Sequence, residues 1–313
     1  MIPFNVIGTK EGDYENASPG ERFGPYTYPV DEFTVKLFAF AQDDYNPWCF
    51  SDENPFGRRI AHAACFNNDL LHVFFTHYNP DNVVGLHTQE ELWFHNPAFV
   101  GENVTITAEY ADKYVKRGKG YIELRSEITG EDGRPIVTHQ GAEIMRIMGN
   151  QLTGERTAPV EGDKVTGEFD AALPEARTAS ADLADGTPVK GLQKTTTTYQ
   201  TQAFSWGGMF FDTIHSSIRT AKAAGYENIV VQGQQQVSFL TEMLADFFGE
   251  SWYRSGHQKL KILKPSLAGE KLSFQGVVKR KTAEEGKTRL HLHVWGRDEK
   301  GDMTVCGWAD ALV

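Results

Sequence analysis

The sequence predicts an α+β protein of two similar units, each an antiparallel sheet wrapped around a central helix. One observation is a repeat. Pro97 and Pro265 lie 168 residues apart (265 − 97), as do Gly101 and Gly269, Glu102 and Glu270, Gly118 and Gly286, and Gly133 and Gly301. A constant offset held over such a stretch points to a tandem duplication. The second observation is an apolar helical run in each half. Phe66, Leu70, Val73 and Phe74, and again Val237, Leu240, Leu244 and Phe247, recur at helical spacing. Both runs are apolar on more than one side, which predicts largely enclosed helices. The third observation lies C-terminal to each run. Three stretches of alternating polarity stand there, joined by turn residues, the pattern of sheets with one buried face.

Residues 1–30 read as an irregular lead-in, rich in Gly, Pro and polar residues. The first helix is expected over residues 60–75, with strands near 104–110, 120–128 and 136–145, and Glu131-Asp132-Gly133 as a tight turn. Residues 150–195 carry Gly, Thr, Ala, Pro and charge with little periodicity and read as a linker. In the second half a helix is expected over 236–248, with strands near 272–279, 288–294 and 303–313. The resulting division is 1–149, 150–195 and 196–313.

Composition narrows the function. With 313 residues the chain has room for two units with sound cores. At 40% hydrophobic and 23% charged residues it has an ordinary globular composition. A net charge of −11 argues against nucleic acid as a partner, because phosphate binding wants a basic surface. No apolar run approaches the roughly 20 residues needed to span a bilayer. The start, Met1-Ile2-Pro3-Phe4-Asn5, has no basic region ahead of an apolar one, which predicts no secretory signal. Cys49, Cys65 and Cys306 form no CxxC pair and no metal spacing, so reduced thiols in a cytoplasmic protein are expected. Basic residues cluster at equivalent hairpins (Lys113, Lys116, Arg117 and Lys119; Lys279, Arg280, Lys281 and Lys287). They read as solvated turns or as a clamp for a phosphorylated small molecule. His291 and His293 share one strand face, and a solvated face is expected there rather than a metal site.

In front of the first helix stands Asp44-Tyr45-Asn46-Pro47, and behind it a Pro-x-x-x-Gly-Glu turn, Pro97 to Glu102, enters a hairpin. With the duplication, this resembles the MaoC-like hydratases and dehydratases of the hot-dog fold, in their double hot-dog form, over roughly residues 40–148 and 200–313. The resemblance implies water added to an enoyl thioester, or lost from a 3-hydroxyacyl thioester. Coenzyme A or an acyl carrier would be part of the substrate, with no other cofactor. The family motif is Asp-x-Asn-Pro-x-His, with His-Gly later at the helix start. There the Asp and His activate a water, and the Gly amide donates to the thioester oxygen, a role that suits the unpaired N–H groups of a helix start.

Neither half carries the whole motif. In the first, Asp44, Asn46 and Pro47 match, Cys49 stands at the His place, and His-Gly becomes His62-Ala63. In the second, His215 matches, Asp212 stands at the Asn place, Phe210 at the Asp place, and His-Gly becomes Gln232-Gly233. The catalytic set is therefore expected to be His215, Asp212 and Gly233. Each has a plainer reading: a structural histidine, a helix-capping aspartate and a turn glycine. Asp44, Asn46, His62, Trp206 and Gln232 are expected to bind substrate or form a second site, although for Asp44 and Asn46 a turn before Pro47 is the favoured reading. Alternatives are a degenerate protein that binds an acyl thioester or other small molecule, and a dehydratase or isomerase acting on a non-thioester substrate. Two hot-dog units in one chain already make the pairing for which single units need a dimer, and a homodimer of the whole chain stays open.

Overall fold

In the computed structural model, residues 7–81, 85–148, 163–206 and 212–313 are described, Trp206 in its backbone only. Ten strands form one antiparallel sheet whose order reads alike from either end: β1, β3, β4, β5, β2, β8, β12, β11, β10, β6. The first half contributes β1 (Arg22–Pro29), β2 (Gly85–Phe94), β3 (Asn103–Lys116), β4 (Lys119–Gly130) and β5 (Pro135–Met145). The second contributes β6 (Pro188–Lys194), β8 (His257–Ile262), β10 (Leu272–Glu284), β11 (Lys287–Arg297) and β12 (Met303–Leu312). A short pair, β7 (Val230–Val231) with β9 (Ser266–Leu267), stands apart. The helices are α1 (Glu32–Gln42), α2 (Asn67–His72), α3 (Thr198–Trp206), α4 (Ile218–Ala223), α5 (Gly233–Phe248) and α6 (Glu250–Ser255). This is a double hot-dog.

The expected strands after each helix are present, and four further strands of the large sheet correct the sequence reading. β1 lies inside the supposed lead-in and β6 inside the supposed linker. Both are edge strands. β1 carries Gly24-Pro25 at a register shift between Phe23 and Tyr26, a position where a ladder tolerates proline. Gly191 interrupts β6 at a similar shift. β2 and β8 meet at the centre of the sheet, Gln89 opposite Lys261 through Trp93 opposite His257. Their many polar residues hid them. Residues 149–162 of the expected linker lie outside the described residues.

The two central helices differ. α5 runs unbroken over sixteen residues, beginning three residues earlier than expected, and buries Val237, Phe239, Leu240, Met243, Leu244, Phe247 and Phe248. In the first half, helix begins only at Asn67 and tightens into a 3-10 turn over Val73–Thr76. Residues 60–66 cannot join it, because their backbone is spent elsewhere: Ile60 N–H donates to Trp48 O and Ala61 N–H to Ala98 O. Apolar periodicity marked a buried segment correctly but did not reveal this competing pairing. α1 was not anticipated. It is capped by Asp31, which accepts from Thr34 N–H.

The two Pro-x-x-x-Gly-Glu turns carry matching hydrogen bonds. Glu102 Oε1 accepts from Phe99 N–H at 2.7 Å, and Glu270 Oε2 from Leu267 N–H at 2.9 Å. Glu102 is 2% exposed and also holds Arg134 at 2.6 Å. Removing one partner of a buried pair is costly. Glu102→Ala is expected to destabilise by about 3 kcal/mol and Glu270→Ala by about 1 kcal/mol, which denaturant midpoints will separate.

At the seam between β2 and β8, His257 bridges Glu91 and Asp310, each at 3.0 Å. Burial opposes its charge, but Asp310 and Glu91 carry its pKa up to about 9. A folded pKa above the unfolded one gives stability that is complete below about pH 6.5 and lost as pH rises through about 9. Urea melts between pH 6 and 10 should lose on the order of 1–2 kcal/mol from this bridge. His257→Gln should flatten that part of the profile.

Candidate functional site

Two related sites lie where the halves face each other. In the first, Asp44 Oδ1 accepts from Asn46 N–H at 3.1 Å, and Asn46 Oδ1 accepts from Trp48 N–H at 3.0 Å. Both side chains thus shape the turn ahead of Pro47. His62 is 3% exposed, and its Nε2 lies 2.9 Å from the Asp44 carbonyl oxygen and 3.8 Å from Asp44 Oδ2. Nε2–H therefore donates, and the unpartnered Nδ1 holds the lone pair. Burial keeps the ring's pKa down against the pull of Asp44. Cys49 is buried, which pushes its thiol well up, so it stays protonated and is no base.

α5 of the second half closes this site with Ser238, Thr241, Glu242 and Asp246, and only about 10 Å³ remains, room for roughly one water. Burial, then Asp44, pushes Glu242 up to about 9. Lys194, at 2.7 Å, pulls the other way. Lys194 also donates to the carbonyls of Gln42 and Asp43, at 2.9 and 2.8 Å.

The second site is open to different chemistry. Val230 N–H donates to Ile214 O at 2.9 Å, the counterpart of Ile60 to Trp48. His215 therefore occupies the place that Cys49 holds in the first half. It is half-buried, and its Nδ1–H donates to Val230 O at 2.8 Å. That bond fixes the tautomer and leaves the Nε2 lone pair free. Burial lowers its pKa, the bond to Val230 opposing, so the ring is neutral near pH 7. Three residues beyond Val230, Gly233 opens α5 behind the N-cap Gln232. The first N–H groups of a helix have no acceptor within it, so a donor dipole is presented there.

Asp212 does not join this group. It is exposed, ion-paired with Arg219, and accepts from Thr220 Oγ1 at 2.9 Å. The structure thus gives it a local helix partner and not the orienting role expected beside His215. Phe210 and the Trp206 side chain lie outside the described residues. Gln232 is 2% exposed, its amide nitrogen 3.5 Å from His72 Nε2, while His72 Nδ1 lies 2.9 Å from Asn68 Oδ1. Burial drives His72 down to about 3, with His215 and His87 near enough to add to the effect.

Sequence reasoning missed this contribution from the first half. His72 and His87 approach Gln232 and Gly233, with Glu90 and Glu143 beside His87, whereas the sequence motif runs within a single half. Their signal was the histidine and glutamate spacing in 87–90, on a strand not recognised. His293 is 7% exposed rather than solvated, and His291 Nε2 pairs with Thr282 Oγ1 at 2.9 Å. Among the described residues no group of three or more His, Cys, Asp or Glu is arranged to hold a metal, and no helix is long and apolar enough to cross a membrane.

Comparison with known proteins agrees with this architecture. Residues 17–139 match the family "FAS1-like, dehydratase domain region". A MaoC-like dehydratase superposes with a TM-score of 0.72 at 15% identity, covering 95% of this chain and 98% of that one. A MaoC domain protein dehydratase from Chloroflexus aurantiacus gives 0.70 at 14%, covering 97% and 98%. A double-hotdog protein of Mycobacterium tuberculosis gives 0.65 at 12%, covering 97% and 98%. At these identities the structural likeness is one of fold. No curated protein matches the chain. The fold is that of the double hot-dog dehydratases. Within that fold, residues 17–139 of the first half are similar to a dehydratase domain region.

Proposed function

We propose that this protein is a hydro-lyase that interconverts an enoyl thioester and a 3-hydroxyacyl thioester at the second-half site. The observation that carries the reading is His215: one ring nitrogen locked on Val230 O, the other free to take a proton, on the turn leading to the helix start at Gly233. In the hydration direction, His215 Nε2 removes a proton from water as the water oxygen bonds to C3 of the enoyl chain. The C2–C3 π electrons move toward the thioester oxygen, where the Gly233 N–H donates to the growing charge. The protonated His215 then returns its proton to C2, so water is added and the enzyme is restored. Neutral imidazole is the form this step needs near pH 7.

The substrate brings its own coenzyme A or acyl carrier, and proton transfer requires no further cofactor. Asp44 is spent on a turn, Cys49 has replaced the imidazole, and the cleft beside them keeps only about 10 Å³, so the first half serves as a wall rather than as the expected acyl-tail pocket. The test is loss of the conjugated enoyl absorbance with crotonyl-CoA and longer enoyl-CoA thioesters. Wild-type protein that turns over neither these nor the 3-hydroxyacyl thioesters, while binding them tightly, would overturn the proposal in favour of a binding protein.

A further inference from the structure

His87 sits on β2 of the first half, opposite Glu143 of β5. Its side chain is 9% exposed. Nε2 lies 2.9 Å from Glu90 Oε2 and 2.9 Å from Gln89 O. Both neighbours are acceptors, so Nε2 carries a hydrogen. Nδ1 has no partner, although it is buried. It faces the start of α5 of the other half: a Cβ built on Gly233 would stand 3.1 Å from it. A buried, unpartnered ring nitrogen aimed at a helix N-terminus is costly unless something else comes to meet it.

The groups around His87 favour the ring with both nitrogens protonated. Glu90 is 0% exposed, and its Oε2 also meets His139 Nε2 at 3.0 Å. Glu143 stands across the ladder, and His72, held uncharged by burial, lies on the α2 side. Burial weighs against charge, but Glu90 and then Glu143 outweigh it and raise the pKa of His87. Glu90 stays ionised in turn: burial pushes it up, yet His139 and His87 bring it down to about 2.

We propose that His87, reaching across from the first half, is a catalytic residue of the second-half site, its Nδ1–H donating beside the Gly233 N–H to the thioester oxygen as charge develops there. The inference rests on the hydro-lyase reading above. A donor pair from two halves explains why β2 carries a histidine whose far nitrogen is held by a buried glutamate. Glu90 is then a positioning residue, orienting the ring and keeping it protonated.

The test compares wild type, His87→Leu, His87→Gln and His215→Ala on enoyl-CoA hydration. His87→Leu removes the donor and should lower kcat by about 10²–10³-fold with KM little changed. His87→Gln keeps an N–H and should stay within about tenfold of wild type. The wild-type profile of kcat/KM should fall on the alkaline side as His87 loses its proton, and His87→Gln should lack that fall. Wild-type kcat in His87→Leu, with His215→Ala inactive, overturns this inference alone. An inactive wild type, or a fully active His215→Ala, overturns the underlying reading and this one with it. If His87→Leu does not fold by circular dichroism, the His87→Gln profile decides, and an unchanged alkaline fall overturns the proposal.

Discussion

His215→Ala is expected to lower kcat for enoyl-thioester hydration by about 10²–10⁴-fold, the usual worth of a positioned general base. KM should change little, because the imidazole meets water rather than the acyl carrier. The change should cost little stability: the ring makes one hydrogen bond, to Val230 O, and is only half-buried. Stopped-flow or steady-state rates beside a melting curve would separate the two effects. If His215 is the base, as proposed, its pKa sets the acid limb of the activity profile. Burial lowers the pKa of His215, so the free base persists below the usual imidazole range. Activity should therefore hold to a lower pH than an exposed histidine would allow, and fall as the ring is protonated. Retained activity in His215→Ala would sink the assignment.

Gly233→Ala is expected to separate activity from stability in the opposite way to a core mutation. The backbone there does not require glycine, because Gly233 is not among the glycines with positive φ. Alanine in a helix is favoured over glycine by up to about 1 kcal/mol. Against that gain, the new Cβ would lie 2.7 Å from Ile262 Cδ1 and 3.1 Å from His87 Nδ1. The end of an isoleucine side chain can swing aside. His87, tied to Glu90, cannot move far without losing its bond. The melting temperature should therefore shift by no more than a few degrees, while kcat falls at least about tenfold as the donors are displaced. A variant with wild-type kcat would show that nothing reactive sits against this glycine.

Much of the fold was legible in the residues. The offset between Pro97 and Pro265 marked the repeat, and alternation marked β3, β4, β5 and their counterparts. The elements that escaped did so for physical reasons. β1 and β6 are edge strands that contain proline or glycine, the residues that normally argue against a strand. β2 mixes Glu90 and Glu91 with His87 and Gln89, because one of its faces holds a buried polar cluster instead of an apolar core. The first central helix is short because Ile60 and Ala61 pair with distant segments, which local periodicity does not register.

The site divided in the same way. Local motifs led to His215, Gly233 and Gln232, and the hydrogen bonds of Val230 and Ile60 place His215 and Cys49 at equivalent points. Asp212 answered to its own helix. The neighbours supplied by the first half were invisible to a search within one motif, because contact between residues 146 positions apart (233 − 87) is a property of the closed fold.

The meeting of β2 with β8 has a consequence for how this chain can vary. Were the polypeptide severed between its halves, each fragment would bare a full row of ladder groups that water alone would have to satisfy, and would seek another strand to cover it. Fusion guarantees that cover, and guarantees that the strand arriving is a different one. Each cleft is therefore built from unlike walls, and the two are free to differ, as His215 and Cys49 do at equivalent points. Two identical partners could never differ in that way.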